Sequence, residues 1–310
     1  MKSNPILRRF DSRSLATAAG LLAVLLFGAS FVAIKIALVQ LDPLTLIPVR
    51  FALGLVVLWP LLARRDLIVR FTGRELLRTA LLGGLGILLN QWFQAAAMVT
   101  AGAATASWLA ALAPAFMAVL AWMFLREKIV AWQWLGIALA LIGALLVSDA
   151  DPAATFGKEG WAVPALLVAS AFAWAVFSVF GKAEATRTSP LRATVLAMTW
   201  ALFFSAILNL SSGVSWDLRT WLPQTWWALI FLGVACTGLA YSLYFYALAG
   251  AQSALIAALQ YLEPLITILL ALLLLQEPLR PIGILGGLLI IAGIVLVERT
   301  GIGQVEPLPR

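Results

Sequence analysis

Hydrophobic residues along the chain gather into ten long blocks with few charges inside them, separated by short polar connections. They cover Leu15–Val39, Pro43–Ala63, Leu76–Ala97, Ala103–Phe124, Ala131–Val147, Trp161–Gly181, Leu191–Leu210, Thr225–Tyr246, Ser253–Leu275 and Pro281–Val297. A helix needs roughly 20 mostly apolar residues to cross a bilayer, so each block predicts one spanning helix. Connections such as Gln40–Asp42 and Gln276–Arg280 leave room only for tight hairpins. Leu15–Val39 follows a basic tail as a signal peptide would, but the many spans after it favour an uncleaved first helix. The pattern predicts an all-α polytopic membrane protein with ten transmembrane helices.

Composition excludes the soluble alternatives. Of 310 residues, 63% are hydrophobic and 11% charged, against about 45–50% and roughly 25% in soluble domains. So much apolar surface excludes a water-soluble globule, and disorder as well. There are no histidines, which removes zinc-hydrolase signatures and His-based acid/base catalysis, and the one cysteine, Cys236, has no partner for an intramolecular disulfide. A phosphate loop, a G-x-S-x-G elbow and cysteine clusters are all absent from the sequence. The expectation is a protein that is not an enzyme, holds no cofactor or metal, and does not hydrolyse ATP by itself.

The formal charge of +7 hints at nucleic acid until the charges are placed. Sixteen of the 21 basic residues fall on one side of the ten spans. They are Lys2, Arg8, Arg9 and Arg13; Arg64, Arg65, Arg70, Arg74 and Arg78; Arg126 and Lys128; Lys182, Arg187 and Arg192; and Arg299 and Arg310. The other side holds Lys158, Arg219 and Arg280 together with Asp42, Asp149, Asp151, Glu159, Asp217 and Glu277. The positive-inside rule then places both termini in the cytoplasm, as an even number of spans requires. The charge is a topology signal, and nucleic acid drops out as a partner. The lipid bilayer takes its place, with the plasma (inner) membrane as the expected location.

The two halves of the chain repeat. Pro114, Glu127, Gly136 and Gly143 recur 150 residues later as Pro264, Glu277, Gly286 and Gly293, without a gap. Lys35 and Pro43 recur at an offset of 147 as Lys182 and Pro190. The repeats are 15–148 (spans one to five) and 161–297 (spans six to ten), with cytoplasmic tails at 1–14 and 298–310. Five spans per copy make the second copy enter from the opposite side, so the expectation is two inverted five-helix repeats. Secondary transporters recurrently use this plan, with the solute held near the midplane.

Gly28-Ala-Ser-Phe-Val-Ala-Ile-Lys35, Asp42-Pro-Leu-Thr-Leu46 and Arg50-Phe51 resemble the opening of an EamA-type member of the drug/metabolite transporter superfamily. The Pro114–Gly143 and Glu263–Gly293 blocks resemble the ends of its two domains, so the likeness runs from about Leu15 to Val297. It implies a ten-helix inner-membrane carrier, commonly an exporter of amino acids, metabolites or drugs, working by alternating access. Uptake of nucleotide sugars or other metabolites, lipid scrambling and an embedded enzyme stay open as alternatives.

Ionisable groups inside a membrane are costly and point to function. Three stand out: Lys35, Arg50 and Glu263. Lys35 either snorkels outward or meets solute, and Arg50 either pairs with Asp42 or serves the solute. Glu263 precedes Pro264, which leaves the Gln260 carbonyl without its helical donor, so it either takes a proton, a cation or an amine or serves as a structural partner for a hydroxyl, an amide or an arginine. Asn90, Gln91 and Gln94 share one helix side, and an offset of 150 carries Gln91 and Gln94 to Tyr241 and Tyr244. Trp108, Trp174, Gln260 and Tyr261 complete the candidate substrate-binding set, an aromatic and polar lining suited to a small amphipathic solute. A proton is the candidate coupling ion, and the chain is expected to act as a monomer or a homodimer.

Overall fold

The computed structural model describes residues 5–64, 71–125, 131–149, 160–214, 218–250 and 259–299. Its helices are α1 (Pro5–Ala37), α2 (Pro43–Arg64), α3 (73–98), α4 (Ala103–Phe124), α5 (Ala131–Asp149), α6 (Ala162–Arg187), α7 (Pro190–Ser212), α8 (Pro223–Ala247), α9 (Leu262–Leu275) and α10 (Pro281–Arg299). The described residues are overwhelmingly helical and contain no strand. Among them α1, α2, α4, α6, α7 and α8 are long and apolar enough to cross a membrane, while α5, α9 and α10 are shorter apolar helices. The block Leu76–Ala97 forms α3 but joins neither group, because charges crowd its start and three amides interrupt its second half. The connection residues Arg65, Arg70, Arg126, Lys128, Lys158 and Glu159, together with Asp151, Asp217 and Glu127, lie outside the described residues, as do 253–258 and the tail segments 1–4 and 300–310.

Local chemistry sets the helix ends. Thr72 caps α3 in a reciprocal box with Glu75, its hydroxyl accepting the Glu75 N–H at 3.2 Å. Ser189 caps α7 by accepting the Arg192 N–H, and Pro190 supplies the preset first turn. Both ends are then tied together: Arg192 clamps Glu75 through two hydrogen bonds, Nη2 donating to Oε2 at 2.8 Å, and its guanidinium lies 4.7 Å from the Phe71 ring centre. Nearby, Glu184 of α6 meets Arg78 at 3.4 Å and Arg187 at 3.7 Å. All these residues sit on the face that the charge asymmetry predicts to be cytoplasmic.

Helices approach closely where glycine removes the side chain. A Cβ at Gly143 would lie 2.5 Å from the Gly286 carbonyl and one at Gly286 2.6 Å from the Gly143 carbonyl, while Gly293 meets the Gly136 carbonyl in the same way. These contacts join α5 to α10. Gly83 of α3 abuts the Ala197 carbonyl and Trp200 of α7, and Gly233 of α8 abuts the Arg50 carbonyl and Leu53 of α2. Each contact in this second pair maps onto the other under offsets of 150 and 147. The helices carrying them also share a feature: α3 winds as a π-helix over Leu82–Leu88, and α8 does so over Phe231–Ala240. Helix α1 runs through the interior, against α8, α9 and α4.

Candidate functional site

Two helix interruptions open a chamber inside this bundle. Helix α4 breaks after Ala110 and resumes at Ala113 with Pro114 in its first turn, and the chain turns at Tyr261 before α9 begins at Leu262 with Glu263-Pro264 in its first turn. Proline removes a backbone donor and disfavours a continuous helix. Both breaks line one cavity of about 60 Å³, which is also walled by α1, α2, α3, α6 and α8. That volume holds a few waters and is far below the roughly 300–1,000 Å³ of a ligand pocket, so the chamber is narrow.

Nine of the twelve residues expected from the sequence line it: Arg50, Asn90, Gln91, Gln94, Trp174, Tyr241, Gln260, Tyr261 and Glu263. Arg50 is only 2% exposed. Its Nε donates to Thr237 Oγ1 at 2.8 Å and its Nη1 to Gln91 Oε1. Gln91 passes the chain on, Nε2 donating to Asn90 Oδ1 at 2.8 Å and to the Tyr241 hydroxyl at 3.4 Å, and Asn90 Nδ2 donates to the Ser170 carbonyl at 2.9 Å. The Asp42 partner considered for Arg50 is not used: Asp42 Oδ1 accepts the Leu44 N–H. Across the chamber Glu263 is half-buried. Among the described residues, ion pairs within 4 Å involve Arg78, Arg187, Arg192, Glu75 and Glu184, but neither Arg50 nor Glu263. One cavity thus brings a guanidinium and a carboxyl group together with no ion pair within 4 Å between them.

The apolar wall is a cluster of rings. Phe27 meets Trp174 at 5.8 Å and Tyr241 at 5.3 Å, and Trp174 meets Tyr241 at 5.7 Å, all edge to face. Tyr244 stands just behind, 5.8 Å from Trp174, and its hydroxyl accepts from Gln260 Nε2 at 2.8 Å. It supports the wall without lining it.

Lys35 and Trp108 lie elsewhere, in a second cavity of about 380 Å³ shared with Thr105, Glu277 and Arg280. Lys35 Nζ donates to the carbonyls of Met98 (2.9 Å) and Ala101 (2.7 Å), so it caps the end of α3. Glu277 accepts the N–H groups of Ala103 (2.9 Å) and Ala104 (3.2 Å) and caps the start of α4. Gln276, left-handed at φ 53°, turns the chain so that Glu277 points back to α4. Phe27, Phe31 and Lys35 recur every four residues on one face of α1, so the two cavities follow each other along that helix.

The sequence reading missed Phe27, Ser30 and Phe31 of α1, Ser107 of α4, Ser170 of α6, and Thr237. Phe27, Ser30 and Phe31 carried a usable signal, a helical spacing that ends on Lys35. Thr237, a lone hydroxyl in an apolar run, carried none.

A helical membrane bundle around a narrow polar and aromatic chamber suits a solute carrier. The chain belongs to the EamA-like transporter family, whose description matches residues 14–149 and 161–299. It is 29% identical to an uncharacterised transporter of Archaeoglobus fulgidus, over 89% of this chain and 94% of that protein. A protein of Streptantibioticus cattleyicolor named a probable terminal-alkyne amino-acid exporter is 28% identical, over 91% and 93% of the two chains. A protein of Salmonella typhimurium named a probable amino-acid metabolite efflux pump is 29% identical, over 89% and 92%. A crystal structure 19% identical in sequence superposes with a TM-score of 0.63 over 91% of this chain and 96% of that one, which shows a shared fold. The protein is therefore a multi-pass membrane transporter.

Proposed function

We propose that this transporter exports small zwitterionic amphipathic solutes, amino acids or close derivatives, as a secondary carrier working by alternating access. The observation that carries the reading is the pair Arg50 and Glu263, a guanidinium and a carboxyl group lining one chamber without an ion pair between them. Keeping a buried charge without a counter-ion is costly, and a solute with a carboxylate and an amine would neutralise both. The rings of Phe27, Trp174 and Tyr241 would receive its apolar part, and Asn90, Gln91, Gln94, Gln260 and Tyr261 its remaining polar edges. Glu263 would take the amine or, in turn, a coupling proton. The export direction is supported by the names of the two relatives above.

The mapped contacts of Gly83 and Gly233, with the matching π-helices, support two inverted five-helix repeats of ten spans with the chamber between them. The charge asymmetry supports cytoplasmic termini in the inner membrane. The thermal midpoint of the purified protein should be measured against panels of amino acids, sugars and nucleotides, since a ligand of the native state raises it. Amino acids with apolar side chains should stabilise. Stabilisation by nucleotide sugars alone, or by nothing in the panels, would defeat the proposal.

A further inference from the structure

We infer that Thr237 is a positioning residue for solute recognition: it aims the Arg50 guanidinium so that its Nη2 edge serves the chamber as a carboxylate seat. Thr237 takes this role only if the solute carries a carboxylate, as proposed above.

The geometry is specific. The Thr237 hydroxyl donates to the Leu232 carbonyl at 2.8 Å, within the π-helical stretch of α8. A hydroxyl has one proton, so toward Arg50 it can only accept, and it accepts from Nε at 2.8 Å. Its rotamer is fixed from the other side, because its methyl fills the notch at Gly54, where a Cβ would lie 2.5 Å from Cγ2. Gly54 stands one helical turn beyond Arg50 on α2, so α2 supplies both the guanidinium and the notch that seats its acceptor. Gln91 holds Nη1. Nη2 has no partner among the described residues, yet it is not among their fully enclosed unsatisfied atoms, so it keeps some open surface on a residue that lines the cavity. A guanidinium held at Nε and Nη1 has its plane fixed and with it the directions of the Nη2 N–H groups, which suits a planar carboxylate. Arg50 and Gln91 come from the first matched segment and Thr237 from the second, so the seat is complete only while α2, α3 and α8 stand together.

The test compares wild type, Thr237→Val and Thr237→Ser in nanodiscs, with L-phenylalanine and L-phenylalaninamide as probes; the amide lacks the carboxylate. Thr237→Val keeps the shape that fills the Gly54 notch and removes the acceptor. It should weaken L-phenylalanine binding about tenfold, the scale of a lost hydrogen bond to a charged group. Phenylalaninamide binding should not change, and Thr237→Ser, which loses the methyl but keeps the hydroxyl that bonds Leu232 and Arg50, should restore most of the L-phenylalanine binding. Equal weakening of both probes, or of neither, overturns the role. A wild-type protein that binds neither probe counts against the solute reading, and Thr237 is then judged without ligand. Phenylglyoxal labelling of Arg50, mapped by mass spectrometry, should change several-fold in Thr237→Val and stay at the wild-type rate in Thr237→Ser. Equal rates in all three proteins overturn the role.

Discussion

Arg50 spends its hydrogen bonds on a hydroxyl and an amide, both uncharged, and among the described residues no ion pair within 4 Å offsets its charge. Lysine would keep that charge but lose the planar fork that both acceptors grip. Arg50→Lys should therefore lower the affinity for L-phenylalanine by about tenfold or more while the protein stays folded, as titration calorimetry would read; an unchanged affinity would mean that charge alone suffices. Arg50 and Glu263 were legible in the sequence because a charge stands out in an apolar block, and the amides of α3 were legible for the same reason. Lys35 stood out too, yet its acceptors are 63 and 66 residues away in the chain, and only the fold reveals it as a cap. Thr237 was hidden because its partner on α2 is 187 residues distant and a lone threonine in an apolar run is unremarkable.

Helix ends were the least legible elements, since hydropathy marks where apolar sequence stops and not where hydrogen bonding does. The block Trp161–Gly181 ends six residues short of α6, whose polar last turns hold Glu184 between Arg78 and Arg187. The single block Ala103–Phe124 conceals the break after Ala110. Caps give these ends measurable stability. Removing the Glu277 carboxylate leaves the Ala103 and Ala104 N–H groups uncapped, so Glu277→Ala should cost about 1 kcal/mol and lower the thermal midpoint, while Glu277→Gln, which retains one acceptor oxygen, should lose less. At the opposite face, hydrogen bonding from Arg192 is the main cause that holds the Glu75 carboxyl below the usual carboxylate range. Its folded-state value is thus lower than its unfolded one, and the pair stabilises the protein above the ordinary glutamate pKa of about 4.3. That contribution is lost as pH falls through the lowered folded value. The melting temperature of wild type should exceed that of Glu75→Gln at neutral pH and converge on it in acid. A gap that stays constant down to pH 3 would show that the carboxylate charge plays no part.

Across the whole molecule, the offsets of 147 and 150 were legible as sequence and reappear as geometry. Gly83 and Gly233 make matching approaches on helices that both carry a π-helical stretch. The charges depart from this symmetry: Arg50 corresponds to Ala197 and Glu263 to Ala113. The small volume of the chamber follows from packing among helices distant in the chain, which no sequence pattern foretells. Matching glycine contacts beside charges that have no counterpart agree with the proposal of a dipolar solute held in one orientation. Counterflow of radiolabelled L-phenylalanine in proteoliposomes tests this most directly, comparing wild type with Arg50→Ala and Glu263→Gln. Saturable counterflow in wild type, reduced by about tenfold or more in each variant through loss of a charge-assisted contact, is the expected result. Undiminished counterflow in both variants would contradict the account.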